Sequence, residues 1–359
     1  MLVKSLQLID FRNYLEATLV FEPGITAIVG DNGQGKTNLA ESLCYLATLE
    51  SFRGAPVEAL IRSGADSAIV RADVVHDDGR ELLIEAEISR LGRNRVMVNK
   101  QRLARARDLL GALRVSVFSP DDLALVKGGP SERRRLIDDS LVALAVKHDA
   151  LRLEIDRILK QRNSLLKQAG GRLADDRAMT LDVWDAKLAQ AGEQLGYARA
   201  TFVARITPMV IEAYEQLAGS ATMIELVYEP AWRRSGLAEA LSKARAEDVR
   251  RQSSTVGPHR DDLELRLNGL PARTHASQGE QRSLALAIKL AAHRLVADKV
   301  GSPPVLVLDD VLSELDHSRA AALLANLPNG QVVITTAGSL PPEAHPDRVV
   351  HIREGTVTA

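Results

Sequence analysis

The run Gly30-Asp31-Asn32-Gly33-Gln34-Gly35-Lys36-Thr37 constrains this chain more than any other feature. It fits G-x-x-x-x-G-K-[ST], and its flanks suit the pattern: the apolar run Ile25 to Val29 precedes it with the profile of a buried strand, and Asn38 to Leu49 follows with helical character. Strand, glycine loop and helix in that order gather backbone N–H groups around one point. Glycines admit close approach where side chains would block it, and the helix N-terminus adds partial positive charge. Such a loop suits the phosphates of ATP. Residues Gly30 to Asn38 would contact the nucleotide, Lys36 would hold the β- and γ-phosphates, and Thr37 would ligate Mg²⁺.

A second element answers the first. Val305-Leu306-Val307-Leu308 reads as a fully buried strand that delivers two carboxylates at its end, Asp309 and Asp310. With a phosphate loop in the same chain, Asp309 is expected to complete the Mg²⁺ site and Asp310 to polarise an attacking water. Alone, the segment would read as a strand followed by a solvated acidic turn. Ser277-Gln278-Gly279-Glu280-Gln281 opens a long helix one element upstream. Its bland reading is an ordinary helix N-cap. Its position between phosphate loop and acidic strand matches the signature of ABC ATPases, where Ser277, Gln278, Gly279 and Gln281 would contact the γ-phosphate held by a second subunit. Ser313-Glu314-Leu315-Asp316 resembles the ABC D-loop, and Thr335-Thr336 falls where that family keeps a γ-phosphate sensor, often histidine.

The rest of the chain divides by rhythm. The N-terminal third reads as strands around one helix, with an antiparallel meander from Ala68 to Val98 through turns at Asp78-Gly79 and Gly92-Arg93. From Ser131 to about Gln168, apolar positions Ile137, Leu141, Leu144, Leu151, Ile155, Ile158 and Leu165 step by fours and threes, with His148 and Arg162 weakening the seam. That predicts one helix of roughly 55 Å at about 1.5 Å per residue. Gly170-Gly171 breaks it, and the rhythm resumes from Leu181 to Phe202, so an antiparallel hairpin is expected, either as an arm or within a helical subdomain. Leu263, Leu265 and Leu267 alternate before a hairpin turn at Asn268-Gly269.

Composition narrows the partners. Net charge is −1, so affinity for nucleic acid must come from a local basic face or from assembly. Two clusters qualify: Lys100, Arg102, Arg105 and Arg107, and Arg133, Arg134 and Arg135. Each is equally a solvated face. Aromatic content is 3%, which disfavours base stacking and favours duplex backbone contact. The single cysteine, Cys44, excludes an internal disulfide, and no uncharged apolar run would span a bilayer, so no membrane role and a cytoplasmic location are expected.

Segments Leu8 to Tyr14, Leu125 to Arg135 and Gly257-Pro258-His259-Arg260-Asp261-Asp262 together resemble the RecF family, ABC-type ATPases related to the heads of SMC and Rad50. The last two segments are not general ABC features, and the helical insertion is too short for SMC or Rad50. The resemblance implies an α/β head with a mixed sheet and an antiparallel meander, built from residues 1–127 and 256–359, with a coiled-coil-like helical lobe, 128–255, inserted. It implies a homodimer closing around ATP on gapped or duplex DNA, slow DNA-dependent hydrolysis, and work with RecR and RecO in loading RecA at single-strand gaps. Arg12 then has two readings, a phosphate contact as in Rad50-like heads or a surface ion pair. Asp310 departs from the glutamate common among ABC members, a shorter reach that suits slow turnover. Two other readings stay open: a transporter's nucleotide-binding subunit, and a binding module whose ATP only stabilises the fold.

Overall fold

The computed structural model describes residues 1–172 and 174–358, which form two compact units. The first comprises Met1–Leu123, Glu212–Ala221 and Gln278–Ala359; the second, Ala124–Ile211 and Thr222–Ser277. Residues 256–277, expected in the head, therefore fall in the second unit, as do Ala124 to Lys127, while 212–221, expected in the helical lobe, falls in the first. Among the described residues no helix is long and apolar enough to cross a membrane.

The first unit holds two six-stranded sheets. One is antiparallel, in the order 14–20, 2–11, 67–75, 81–89, 95–98, 101–102. Its strands alternate in burial, Val3, Leu6 and Leu8 facing inward with Ala68, Val70, Ala72 and Val74, as a sheet with one wet face requires. The other runs 356–358, 348–353, 25–29, 332–336, 305–309, 115–118, parallel throughout except for the last hairpin strand, 356–358. Its central strands Val305–Asp309 and Val332–Thr336 are buried at every position, which is why they read as unbroken apolar runs in the sequence. Helix Lys36–Thr48 lies in the core between the sheets' apolar faces, contributing Leu39, Leu43, Cys44 and Leu46. The expected meander is present, as are the helices expected after the glycine loop and after Ser277, with boundaries Lys36–Thr48 and Gln278–Val300.

The second unit corrects the helical reading. Residues 131–168 are not one helix: Pro130–Leu144 and Lys147–Ala169 are separated at Ala145, whose backbone is extended, with no glycine or proline marking the break. After it Ile155, Ile158 and Arg162 are buried as expected, but Leu151 and Leu165 are only half-buried and Leu159, Leu166 and Ala169 are buried instead. The hairpin itself exists. Lys147–Ala169 pairs with Asp175–Ala218 in antiparallel sense, Leu166 packing with Leu181 and Arg162 bonding Asp185. It is not a free-standing arm, because helix Leu237–Arg251 packs along it through Val249, Arg245 and Asp248.

Two glycines make room in that unit. A Cβ on Gly192 would lie 2.3 Å from Leu237 Cδ2, and one on Gly196 would lie 2.5 Å from the Trp232 ring. Glycine inside a helix costs about 1 kcal/mol of propensity, here offset by close approach of bulky apolar groups. Beside them, Asp261 accepts from Tyr228 (2.6 Å) and Trp232 (2.7 Å), and Arg199 reaches Asp138 twice at 2.8 Å and the Pro258 carbonyl at 2.7 Å. This is what the Gly257 to Asp262 segment builds: a hydrogen-bonded buried network. His259 and Arg260 join it as structural groups, both on the Ser254 carbonyl. The small sheet of the unit, 270–271, 264–267 and 224–227, turns at Asn268-Gly269 as expected.

Candidate nucleotide-binding site

The loop Gly30 to Thr37 leaves strand Ile25–Val29 and enters helix Lys36–Thr48. No side chain caps that helix, and its first turn carries no acidic residue, so its N-terminal N–H groups face no competing carboxylate from their own turn. The loop is braced from outside. The Tyr14 hydroxyl donates to the Gly35 carbonyl at 2.9 Å, Asn13 Nδ2 to the Gln34 carbonyl at 3.0 Å, and Asn38 Nδ2 to Asn13 Oδ1 at 2.8 Å. The C-terminal hairpin adds a brace: the Gly355 N–H reaches the Gln34 carbonyl at 3.2 Å and the Glu354 N–H bonds the Gln34 side chain. Two glycines are obligatory. A Cβ on Gly30 would sit 2.3 Å from the Ile352 carbonyl oxygen, and Gly35, at φ 114°, would meet Asn13 at 2.6 Å. Among the described residues nothing lies within 4 Å of where a Gly33 Cβ would be. Lys36 is buried, its ammonium on the Gly30 (2.7 Å) and Asp31 (2.9 Å) carbonyls of its own loop.

The carboxylates arrive from the neighbouring sheet strands. Asp309 ends its strand buried, and Thr37 donates to its Oδ1 at 3.0 Å. Burial pushes the Asp309 carboxyl above the ordinary carboxylate range; hydrogen bonds from Thr335 and Thr37 pull it back, and the Asp310 charge adds to the rise. Asp310 is half-exposed at φ 55°, a left-handed backbone uncommon for aspartate, and Ser313 donates to its carbonyl at 2.7 Å. Among the described residues no group of three or more His, Cys, Asp or Glu is arranged to hold a metal ion. The donor set is instead one hydroxyl and one carboxylate beside a phosphate-type loop, which fits Mg²⁺ bound mainly by phosphate and water.

The helix expected to open with the signature starts at the surface. Ser277 and Gln278 are exposed, Gly279 half-exposed, and Gln281 buried. Arg282 ties that first turn to the D-loop-like segment, donating to the Glu314 carbonyl at 2.7 Å and pairing with its carboxylate. A Cβ on Gly279 would crowd the Arg319 guanidinium at 3.0 Å, and Asp316 caps helix His317–Ala325 by accepting from the Arg319 N–H at 2.9 Å.

Two expectations change, and Arg12 takes one of its two readings. Arg12 is an ion-pair residue in this structure: it bonds buried Glu41 at 2.8 and 2.7 Å and the Ala59 carbonyl at 2.8 Å, leaving little of its guanidinium for phosphate. Thr335 does not present its hydroxyl as a sensor; it is fully buried and donates to Asp309 at 2.7 Å, while the Thr336 hydroxyl accepts the Gly338 N–H at 3.2 Å. Arg133 leaves the DNA-contact set, because its buried guanidinium grips Asp262 in bidentate fashion (2.8 and 2.9 Å) and the carbonyls of Leu125 and Gly128. Of its neighbours, Arg134 is half-buried on the Asp261 carbonyl and Arg135 is exposed. In the other cluster Lys100, Arg102 and Arg105 are exposed and Arg107 sits 3.7 Å from Glu50. The braces from Tyr14, Asn13 and Glu354-Gly355 had no local signal, since each depends on which strands flank Ile25–Val29.

A phosphate loop, an acidic strand beside it in a mostly parallel sheet, an antiparallel meander and an inserted helical unit together define an ABC-type ATPase head. The family model described as the RecF/RecN/SMC N terminal domain matches residues 2–353. The DNA replication and repair protein RecF of Streptomyces avermitilis is 44% identical over 350 residues, covering 93% of each chain, and that of Arthrobacter sp. is 40% identical over 374 residues, covering 94% of this chain and 93% of its own. The solved structure of the recombination mediator protein RecF with ATP, in the RecFOR pathway, superposes with a TM-score of 0.91 at 30% identity, over 99% of this chain and 96% of that one. An SMC head domain from Pyrococcus furiosus shares the fold at a TM-score of 0.58 and 18% identity, over 99% of this chain and 94% of that one. The chain belongs to the RecF family of DNA replication and repair proteins.

Proposed function

We propose that this chain is an ATP-gated DNA clamp. It binds ATP with Mg²⁺ in one copy's glycine loop, closes against the signature helix of a second copy on DNA, and reopens after slow hydrolysis. The observation that carries this reading is the contact of Thr37, beside Lys36 in the glycine loop, with Asp309 at the end of the acidic strand, where Asp310 follows, together with a helix from Gln278 whose first residues are exposed. Lys36 would exchange its two loop carbonyls for the β- and γ-phosphates, and Thr37 and Asp309 would hold the metal. Bound Mg²⁺ supplies charge neutralisation at the phosphates. Asp310, half-exposed at the end of its strand, would orient the attacking water and accept its proton. Ser277 and Gln278 would meet the γ-phosphate of the partner copy's nucleotide.

The role in recombination follows from kinship. The ATP-bound relative is described as a recombination mediator in the RecFOR pathway; on that kinship we infer that this chain works with RecR and RecO in loading RecA at single-strand gaps. DNA contact would come from exposed Lys100, Arg102 and Arg105, with Arg107, and from Arg134 and Arg135, giving sequence-independent, salt-sensitive affinity. Kinship over more than nine-tenths of the chain argues against the transporter reading. Sedimentation of the full chain with ATP-Mg²⁺, with ADP and with gapped duplex tests the clamp: dimers are expected with ATP, and more with ATP and DNA. A chain that binds ATP yet stays monomeric with DNA present sinks the reading.

A further inference from the structure

The parallel pairing of strands Val305–Asp309 and Val332–Thr336 sets Asp309 opposite Thr335. Thr335 is fully buried, so its hydroxyl has no water to bond and must satisfy itself within the protein. It does so at two places. Its proton goes to Asp309 Oδ1 at 2.7 Å, the same oxygen that Thr37 reaches at 3.0 Å. Its lone pair accepts the Asp310 N–H at 3.1 Å, a contact that N–H shares with the Thr335 carbonyl at 3.2 Å. Asp310 is the residue whose backbone turns left-handed at φ 55°. One hydroxyl therefore grips the side chain of the first carboxylate and the main chain of the second, at the point where the chain leaves the sheet in an uncommon conformation.

We propose that Thr335 is a positioning residue that fixes Asp309 and Asp310 together, so that the metal-binding carboxylate and the water-orienting carboxylate hold one mutual geometry. The inference rests on the nucleotide-binding reading of the site and deepens it. Asp309 Oδ1 already takes two hydroxyl donors; with Thr335 holding the carboxylate in one orientation, the other oxygen would remain available to a bound metal. Valine at 335 is nearly isosteric with threonine and removes only the hydroxyl, which leaves the Asp309 carboxylate with Thr37 alone and the Asp310 N–H with the longer carbonyl contact. A hydrogen-bond partner of a metal ligand contributes about 10- to 100-fold in metal affinity.

The test uses the full chain with Thr335→Val and Thr335→Ser, in two measurements. In the first, amide hydrogen exchange is followed in nucleotide-free protein over the peptide containing Asp309 and Asp310. Valine is expected to speed exchange there about tenfold while the rest of the strand is unchanged, and serine to match the parent. In the second, Mn²⁺ is titrated with ATP present and ATP affinity is measured in EDTA. Valine is expected to raise the Mn²⁺ half-saturation by 10- to 100-fold with the EDTA affinity unmoved, and serine to restore it. Parental exchange and parental Mn²⁺ binding in the valine protein overturn the proposal, as does a serine protein as defective as valine. If the valine chain does not fold, Thr335→Ala takes its place with the same expectations. Because the exchange measurement needs no nucleotide, it decides the positioning role even where wild-type protein fails to bind ATP, an outcome that would sink the functional reading instead.

Discussion

The Thr37 hydroxyl donates to Asp309 Oδ1 at 3.0 Å across 272 residues of chain. The sheet order makes this possible: the strand that feeds the glycine loop, Ile25–Val29, pairs with Val332–Thr336, which pairs in turn with Val305–Asp309. The loop and the acidic strand therefore open at the same end of one parallel sheet, where ligands of α/β folds bind.

Asp310→Asn keeps the size and removes the carboxylate proposed as the base. Hydrolysis is expected to fall by about 10²- to 10⁴-fold, the usual contribution of a general base. ATP binding should persist, and residence on gapped duplex with ATP should lengthen. Single-turnover hydrolysis and dissociation kinetics on the same protein check it. Parental hydrolysis in the asparagine variant would mean another group serves as base.

Ser277→Arg puts a bulky cation at an exposed helix start. ATP affinity of the isolated chain should stay within about twofold, because no part of its own glycine loop is altered, whereas ATP-dependent self-association should disappear. Fluorescent-nucleotide titration and sedimentation separate the two. Loss of nucleotide binding by the monomer would show that this helix serves its own chain's site.

Arg162 is fully buried, its Nε 2.6 Å from Asp185 and its Nη1 2.7 Å from equally buried Asp248, the second contact a charge pair without an aligned hydrogen bond. Arg162→Met fills similar volume but takes the cation away from buried Asp248, while Asp185 keeps Arg245. Breaking such a pair from one side costs about 3–5 kcal/mol. Both tryptophans, Trp184 and Trp232, lie in the second unit, so urea unfolding followed by tryptophan fluorescence reports that unit. A loss under about 1 kcal/mol would show that water relieves the site.

His293 is buried on helix Gln278–Val300 with no hydrogen bond to either ring nitrogen among the described residues, and burial, aided by the Arg294 charge, lowers its pKa from 6.5 to about 4. Between those values the unfolded chain binds the proton and the folded chain does not, so stability rises with pH across that window and is lost as pH falls from 6.5 towards 4. The contribution is about 3 kcal/mol at most. His293→Leu should flatten the acid limb of thermal stability measured from pH 4 to 7. An unchanged limb would assign the acid sensitivity to other groups.

How much was legible depended on range. Turns at Asp78-Gly79 and Asn268-Gly269 were readable because left-handed backbone at Gly79, Asn268 and Gly269 is a local demand. The break at Ala145 was not, because neither glycine nor proline marks it. Arg162 looked like a flaw in an apolar seam, and only its partners on two other helices, Asp185 and Asp248, make it a core residue.

The sequence by itself determined the glycine loop, the two all-buried strands, the meander and the helical insertion, since each follows from spacing within about ten to twenty residues and from the conformational limits of glycine, β-branched and apolar side chains. The tertiary structure alone decided where the polar side chains went: Arg12 to Glu41, Arg133 to Asp262, Thr335 to Asp309, Gln34 to the Glu354-Gly355 turn. A buried donor must find a partner, but which partner is fixed by strand order and register, and those are set by the chain as a whole.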